Sequence, residues 1–263
     1  MSTTTHAVGD TATMLRRKLK HMLRYPSMTL ILIGLPVVFL LLFVYVFGGT
    51  LGDGLGGPSG GRDAYVNYVT PGIILLAVVG SATATAVSVA TDMNEGIIAR
   101  FRTMSIFRPS MLTGHVVGSA IQTLLGMAVV IGIALLVGFR PTAGLPEWLA
   151  IAGLLTLLVL AVTWLSVGLG LAAQNVESAS NLPMPLLLLP FLGSGFVPTD
   201  SMPAWLEWFA EHQPFTPVIE TLRGLFFDMP IGNNAWISVV WCVGITAVCF
   251  LWARRLFNRD PSR

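Results

Sequence analysis

Of the 263 residues, 54% are hydrophobic and only 11% are charged, and the mean hydropathy is +0.76. Soluble domains carry roughly 25% charged residues, so this composition excludes a soluble globular protein and marks a polytopic membrane protein. The formal net charge of +2 excludes little; the placement of the charges carries the information.

Residues 13–25 read as an amphipathic surface helix. Leu15, Leu19, Met22 and Leu23 line one face, and Arg16, Arg17, Lys20 and Arg24 line the other. Two readings stand for it: a basic anchor on anionic lipid, or an interfacial helix that also touches a cytoplasmic partner. The first apolar run begins near Met28. It is too long for the apolar stretch of a signal peptide and lacks a small-residue cleavage site, so no cleavable signal is expected.

Runs of about 20 predominantly apolar residues predict six spans, at 28–47, 66–90, 112–139, 148–173, 182–197 and 235–253. The loop 48–62 after the first is Gly-rich and reads as mobile. The fifth span is short and interrupted by Pro183, Pro185, Pro190, Gly193 and Gly195. A bilayer tolerates it only where neighbouring helices cover its freed backbone groups.

Between spans two and three, residues 91–110 predict a capped, charged, amphipathic helix. Asp92 is a candidate N-cap with Glu95 three residues on, in a capping-box pattern, and Arg100 and Arg102 fall where the helix dipole favours cations. Ile97, Ile98, Phe101 and Met104 share one face, with Glu95 and Arg102 opposite. After span five, Ser201 and Pro203 predict one short helix, and Thr216-Pro217 predicts another running to Gly224. Trp205, Trp208, Phe209, Phe215, Phe226 and Phe227 suit the headgroup level. These two helices are expected to dip back into the outer leaflet.

Twelve of the fifteen Lys and Arg residues lie before span one, between spans two and three, or after span six. Only Arg62, Arg140 and Arg223 fall on the other side. The positive-inside rule then puts both termini in the cytoplasm. The prediction is an all-α, multi-pass plasma-membrane protein forming one domain over residues 1–263. Within it, 1–27 is a cytoplasmic tail with the amphipathic helix, 28–253 the six-span body, and 254–263 a cytoplasmic tail.

Chemistry-bearing groups are sparse. No Asp, Glu, Lys or Arg falls in a predicted span core, where coupled transporters place relays and ion ligands. His6, His21, His115 and His212 lack metal-ligand spacing, and for His115 a structural or interfacial role is the better reading. Gly193-Ser194-Gly195 does not match G-x-S-x-G, because Leu192 and Phe196 flank it; close helix packing explains it, as it does Gly126, Gly132, Gly168 and Gly170. Cys242 and Cys249 are seven helical positions apart, about 10 Å, too far for a disulfide. The only lysines, Lys18 and Lys20, are not in a P-loop. No cofactor is expected in this chain, and any ATP and Mg must be bound by another.

Several segments then fall into a known pattern: the basic N-terminal helix, the six spans, and Glu95-Gly-Ile-Ile-Ala-Arg-Phe-Arg102 after the second. The most specific part is Gly195-Phe-Val-Pro-Thr-Asp-Ser-Met-Pro-Ala-Trp-Leu206 followed by Gln213-Pro-Phe-Thr-Pro-Val-Ile-Glu-Thr-Leu-Arg223. Over nearly its whole length the chain resembles the ABC type-2 exporter permeases of the daunorubicin-resistance, drug-efflux branch.

The resemblance implies two permease subunits, identical or paralogous, and two separate ATP-binding subunits, embedded in the lipid bilayer and without nucleic acid. It implies that residues 92–107 form the coupling helix docked on the ATPase, through Asp92, Glu95, Gly96, Ile97, Arg100, Phe101, Arg102 and Met104. Residues 13–25 become the interfacial connecting helix. Spans two and five line the path at the dimer axis, and the helices at 202–211 and 217–222 close its outer end. Family members commonly read Arg-Phe-Arg-Ser-Leu-Pro, whereas here Met104-Ser105 replaces the Leu-Pro after Arg-Phe-Arg-Thr, and without that proline the helix is free to run on to Phe107.

On that pattern the path is expected to use Thr83, Thr85 and Ser88 on span two, Met184, Leu188 and Phe191 on span five, and Phe39 and Phe43 on span one. Phe196, Pro198, Trp205 and Phe215 are the expected outer gate. For each of these, ordinary helix packing is the competing account. The expected cargo is a hydrophobic or amphiphilic, drug-like compound moved outward. A lipid or polysaccharide exporter shares the architecture, and a secondary multidrug transporter is separated by the intramembrane charge that the spans lack.

Overall fold

The computed structural model describes residues 26–56, 61–94 and 109–257. Among them every regular element is helical. Helix α1 (Pro26–Leu42) passes through a single π-helical turn (Phe43–Phe47) into α2 (Gly48–Gly56). Then come α3 (Arg62–Asn94), α4 (Pro109–Val137) and α5 (Leu145–Ala172). Two short helices follow, α6 (Val176–Asn181) and α7 (Met184–Leu188). After a 3-10 turn (Thr199–Ser201) come α8 (Ala204–His212), α9 (Phe215–Phe227) and α10 (Asn234–Phe257).

Among the described residues, five helical stretches are long and apolar enough to cross a membrane: Leu32–Gly54, Arg62–Asn94, His115–Val137, Leu145–Ala172 and Asn234–Phe257. They coincide with predicted spans one to four and six. The predicted fifth span is not such a helix. Pro183, Pro185 and Pro190 each remove a backbone donor, and 182–197 breaks into α7 and a run of turns from Leu189 to Phe196.

The first loop also differs from expectation, since 48–56 is helical rather than irregular. Its backbone packs on the start of α3, where a Cβ on Gly52 would collide with the Gly61 carbonyl. The glycines there permit close approach, an ordered alternative to a mobile linker.

Helix α3 is the centre of the fold and touches α1, α2, α4, α5, α6, α7 and α9. Nineteen of its residues are buried, from Tyr65 to Ala90. Its polar residues are accommodated internally: Thr70, Ser81, Thr85 and Thr91 return their hydroxyls to carbonyls of Val66, Val78, Ser81 and Val87. That back-bonding satisfies each hydroxyl without a second helix. Helix α5 packs between α3 and α10. There a Cβ on Gly170 would lie 2.6 Å from the Ala86 carbonyl oxygen, and one on Gly168 2.5 Å from the Trp252 ring. Gly132, by contrast, has no atom of the described residues within 4 Å of where its Cβ would be.

The outer faces of α1, α4 and α10 remain apolar and exposed, with Val38, Leu136, Val240 and Val248 among them. In water such a surface would be costly; against lipid tails it is the expected one.

Candidate functional site

The break after α7 leaves a stretch of irregular backbone whose carbonyls need partners, because an unpaired buried carbonyl costs about as much as a lost hydrogen bond. Side chains from three elements supply them. Tyr65 and Tyr68, one turn apart on α3, donate their hydroxyls to the carbonyls of Phe196 (3.2 Å) and Ser194 (3.0 Å). Arg223 on α9 donates Nη2 to the carbonyls of Ser194 (2.9 Å) and Tyr68 (3.3 Å). Gln213, between α8 and α9, donates Nε2 to the Leu189 carbonyl at 3.0 Å.

Backbone approach completes the joint. A Cβ on Gly72 would lie 2.5 Å from the Gly195 carbonyl oxygen and 2.8 Å from its Cα. Only two residues without side chains allow α3 and the break to meet so closely.

Arg223 is buried, with 9% of its surface exposed. Its charge is balanced by Glu220, one turn earlier on α9, at 2.6 Å from Nη1. Its guanidinium also lies 4.0 Å from the centroid of the Tyr68 ring, a cation–π stack. Counting charges by loop assigns this residue to the outer side and misses its role. The signal that could have found it is the Glu220 spacing, i to i+3 on a helix whose other face is apolar.

Next to the joint, four predicted site residues form one aromatic cluster. Phe191 and Phe196 stack at 4.4 Å between centroids, Phe43 packs on Phe196 at 4.7 Å, and Phe39 meets Phe191 edge-on at 5.6 Å. Phe43 opens the π turn. Such turns change the helical phase by one residue and recur at functional sites. Phe196, expected as a gate residue, thus packs with residues expected on the path.

The remaining predictions disperse. Met184 and Leu188 are 57% and 59% exposed on the surface of the single chain. Thr85 is buried and bonded within its own helix, while Thr83 and Ser88 are half-buried. Pro198 is half-buried and accepts a hydrogen bond from Ser201 Oγ at 2.7 Å, so Ser201 closes the 3-10 turn and does not cap α8. Phe215 is buried in the core, and Trp205 is exposed on α8. Among the described residues neither has a ring contact with the cluster.

At the opposite end of α3 the structure corrects the expected helix cap. Asp92 lies inside the last turn of α3, which runs to Asn94. Between Gly80 and Gly96 the chain has no Pro or Gly, so no breaker ends the helix ahead of Asp92. The Asp92 carboxylate instead meets His115 Nε2 of α4 at 2.8 Å, with both side chains mostly buried. The other predicted coupling residues, Glu95, Gly96, Ile97, Arg100, Phe101, Arg102 and Met104, lie outside the described residues, as does the helix expected at 13–25.

Comparison with known proteins gives this geometry its context. Residues 10–227 match the model of the ABC-2 type transporter family. Over 263 aligned residues the chain is 29% identical to the daunorubicin resistance ABC transporter permease protein DrrB1 of Streptomyces coeruleorubidus, covering 97% of this chain and 88% of that one. It is 26% identical to the probable doxorubicin resistance ABC transporter permease protein DrrC of Mycobacterium tuberculosis, covering 72% and 68%. It is 25% identical to the inner membrane transport permease YadH of Escherichia coli, covering 84% and 86%. The family match spans all but the last of the five long apolar helices, the broken segment and the Arg223 joint included, and the chain belongs to the ABC-2 type transporter family.

Proposed function

We propose that this chain is the membrane-spanning permease subunit of an ATP-driven exporter that moves a hydrophobic or amphiphilic, drug-like compound out of the cell. It hydrolyses nothing itself; ATP and Mg are bound by a separate ATPase subunit, and a second permease subunit completes the path. Both termini are cytoplasmic, and the Arg223 joint is at the outer end.

The observation that carries the reading is the Phe39–Phe43–Phe191–Phe196 cluster beside the broken segment, in a chain similar almost end to end to a daunorubicin resistance permease. Stacked rings offer a planar compound large contact area with few rotatable bonds to freeze. The break supplies what a straight helix lacks, a backbone able to change shape against α3. Met184 and Leu188 stand exposed on the same segment and suit contact with the second permease.

Energy enters at the other end. Residues 92–107 dock on the ATPase, with Ile97, Phe101 and Met104 in an apolar cleft and Glu95, Arg100 and Arg102 setting register by charge. ATP-driven closure of the ATPases pushes on this segment and so on α3, whose far end holds the break. The test is efflux of a planar cationic dye from cells expressing the permease with its ATPase, against cells expressing either alone. Export by the pair only supports the reading; equal export by the permease alone would exclude it.

A further inference from the structure

We propose that Arg223 is the latch that holds the outer end of the path closed, an inference that rests on the permease reading above. Its guanidinium touches three elements that meet there: the break, α3 and α9. It donates to Ser194 in the break and to the Tyr68 carbonyl on α3, stacks on the Tyr68 ring, and is anchored to α9 by Glu220. Tyr68 closes the triangle by donating its own hydroxyl to the same Ser194 carbonyl.

The chemistry favours a latch over a fixed weld. The two acceptors for Nη2 are neutral backbone carbonyls on separate elements, while the counter-charge, Glu220, rides on the same helix as the arginine. When α3 and the break separate, Arg223 keeps its ion pair and gives up only neutral partners. No buried charge is stranded by the opening, which is the costly outcome when an ion pair is split. Glu220 is a third exposed, so the pair retains contact with a polar surrounding. Nε of Arg223 and Oγ of Ser194 have no partner among the described residues, so neither atom adds a bond that opening must break.

Lysine cannot replace this arrangement. Its ammonium keeps the charge but not the planar fork or the flat face that lies on Tyr68.

The experiment uses a single reporter thiol. Cys242 and Cys249 are replaced by Ala, and Ser194→Cys is introduced, which leaves intact the backbone carbonyl that Arg223 and Tyr68 use. Permease and ATPase are co-reconstituted in liposomes. The rate of labelling by a membrane-impermeant maleimide from the outer side is measured with and without ATP, alongside dye transport. The parent should label slowly at rest and faster during ATP turnover. Arg223→Gln should label at rest about tenfold faster, as expected for losing a charge-assisted hydrogen bond, and lose its response to ATP. Arg223→Lys should fall between the two.

Tyr68→Phe keeps the ring under the guanidinium and removes one neutral hydrogen bond, so labelling at rest should rise about threefold; it provides the test if Arg223→Gln fails to reach the membrane. A purely structural role for Arg223 would alter yield or melting but leave the ATP response intact. Parental labelling rates in Arg223→Gln and Tyr68→Phe, with transport preserved, would overturn the latch. If the parent pair transports nothing while labelling still depends on residue 223, the permease reading fails and the latch contact stands.

Discussion

His115 Nε2 lies 2.8 Å from the Asp92 carboxylate, tying the last turn of α3 to the first turns of α4 across the 22 residues that separate them in sequence. Those 22 residues hold the proposed ATPase-docking segment. A push on the segment therefore reaches two spans joined at their base.

This tie predicts a specific defect. Asp92→Asn or His115→Gln should lower the thermal midpoint only modestly, because a hydrogen bond to a charged group is worth about 1.5–3 kcal/mol and part is retained by the amide. Dye efflux per ATP hydrolysed should fall further than stability does. Asp92→His combined with His115→Asp should recover part of the loss, a coupling that a double-mutant cycle on transport rates would measure.

The Gly72–Gly195 approach makes a steric prediction. Gly72→Ala places a methyl 2.5 Å from the Gly195 carbonyl oxygen, and backbone on both sides must move. The cost should be about 1–3 kcal/mol, typical of overpacking, seen as a lower midpoint in a fluorescence-detected thermal unfolding assay. Gly132→Ala, which meets nothing within 4 Å, is the control and should leave the midpoint unchanged.

For the aromatic cluster, Phe191→Ala removes ring contacts with Phe39, Phe43 and Phe196 at once. Each aromatic pair contributes about 0.5–1.5 kcal/mol beyond area burial. Efflux of a planar dye should drop about tenfold while co-purification of the ATPase is unchanged. An equal fall in both would point to a folding defect instead of a lost binding surface.

Exposure of Leu188 leads to a prediction about assembly. Leu188→Cys in a background without Cys242 and Cys249 should form a disulfide-linked dimer on mild oxidation, resolved by non-reducing electrophoresis. Absence of cross-linked product at this position and at Met184→Cys would place the second subunit elsewhere.

The sequence was most informative where one physical signal dominates. Apolar runs fix a span because a bilayer admits no unpaired backbone: five of six predicted spans appear as long apolar helices, four of them within a few residues of their predicted ends, while the first runs on past 47 to Gly54. Pro183, Pro185 and Pro190 announced an interrupted fifth segment, but not that it would abandon a membrane-long helix altogether. That outcome depends on Tyr65, Tyr68 and Arg223 arriving from distant elements to satisfy its carbonyls, a tertiary fact with no local pattern. The burial of Arg223 was not legible, because topology rules weigh a charge by the loop it belongs to and carry no information on what packs around it. Asp92 misled for a related reason: the capping-box pattern was present, yet uninterrupted helical residues before it carried α3 through the position. Phe39, Phe43, Phe191 and Phe196 were legible as aromatic candidates, and only the π turn and the break bring them into one cluster.

The proposed function requires that a separate ATPase drive this chain through residues 92–107. The direct test is Phe101→Ala with Arg102→Ala, measuring dye efflux, ATPase co-purification and membrane abundance in the same cells. Docking through this segment predicts normal abundance with loss of both efflux and ATPase capture. Efflux and capture at parental levels would contradict it.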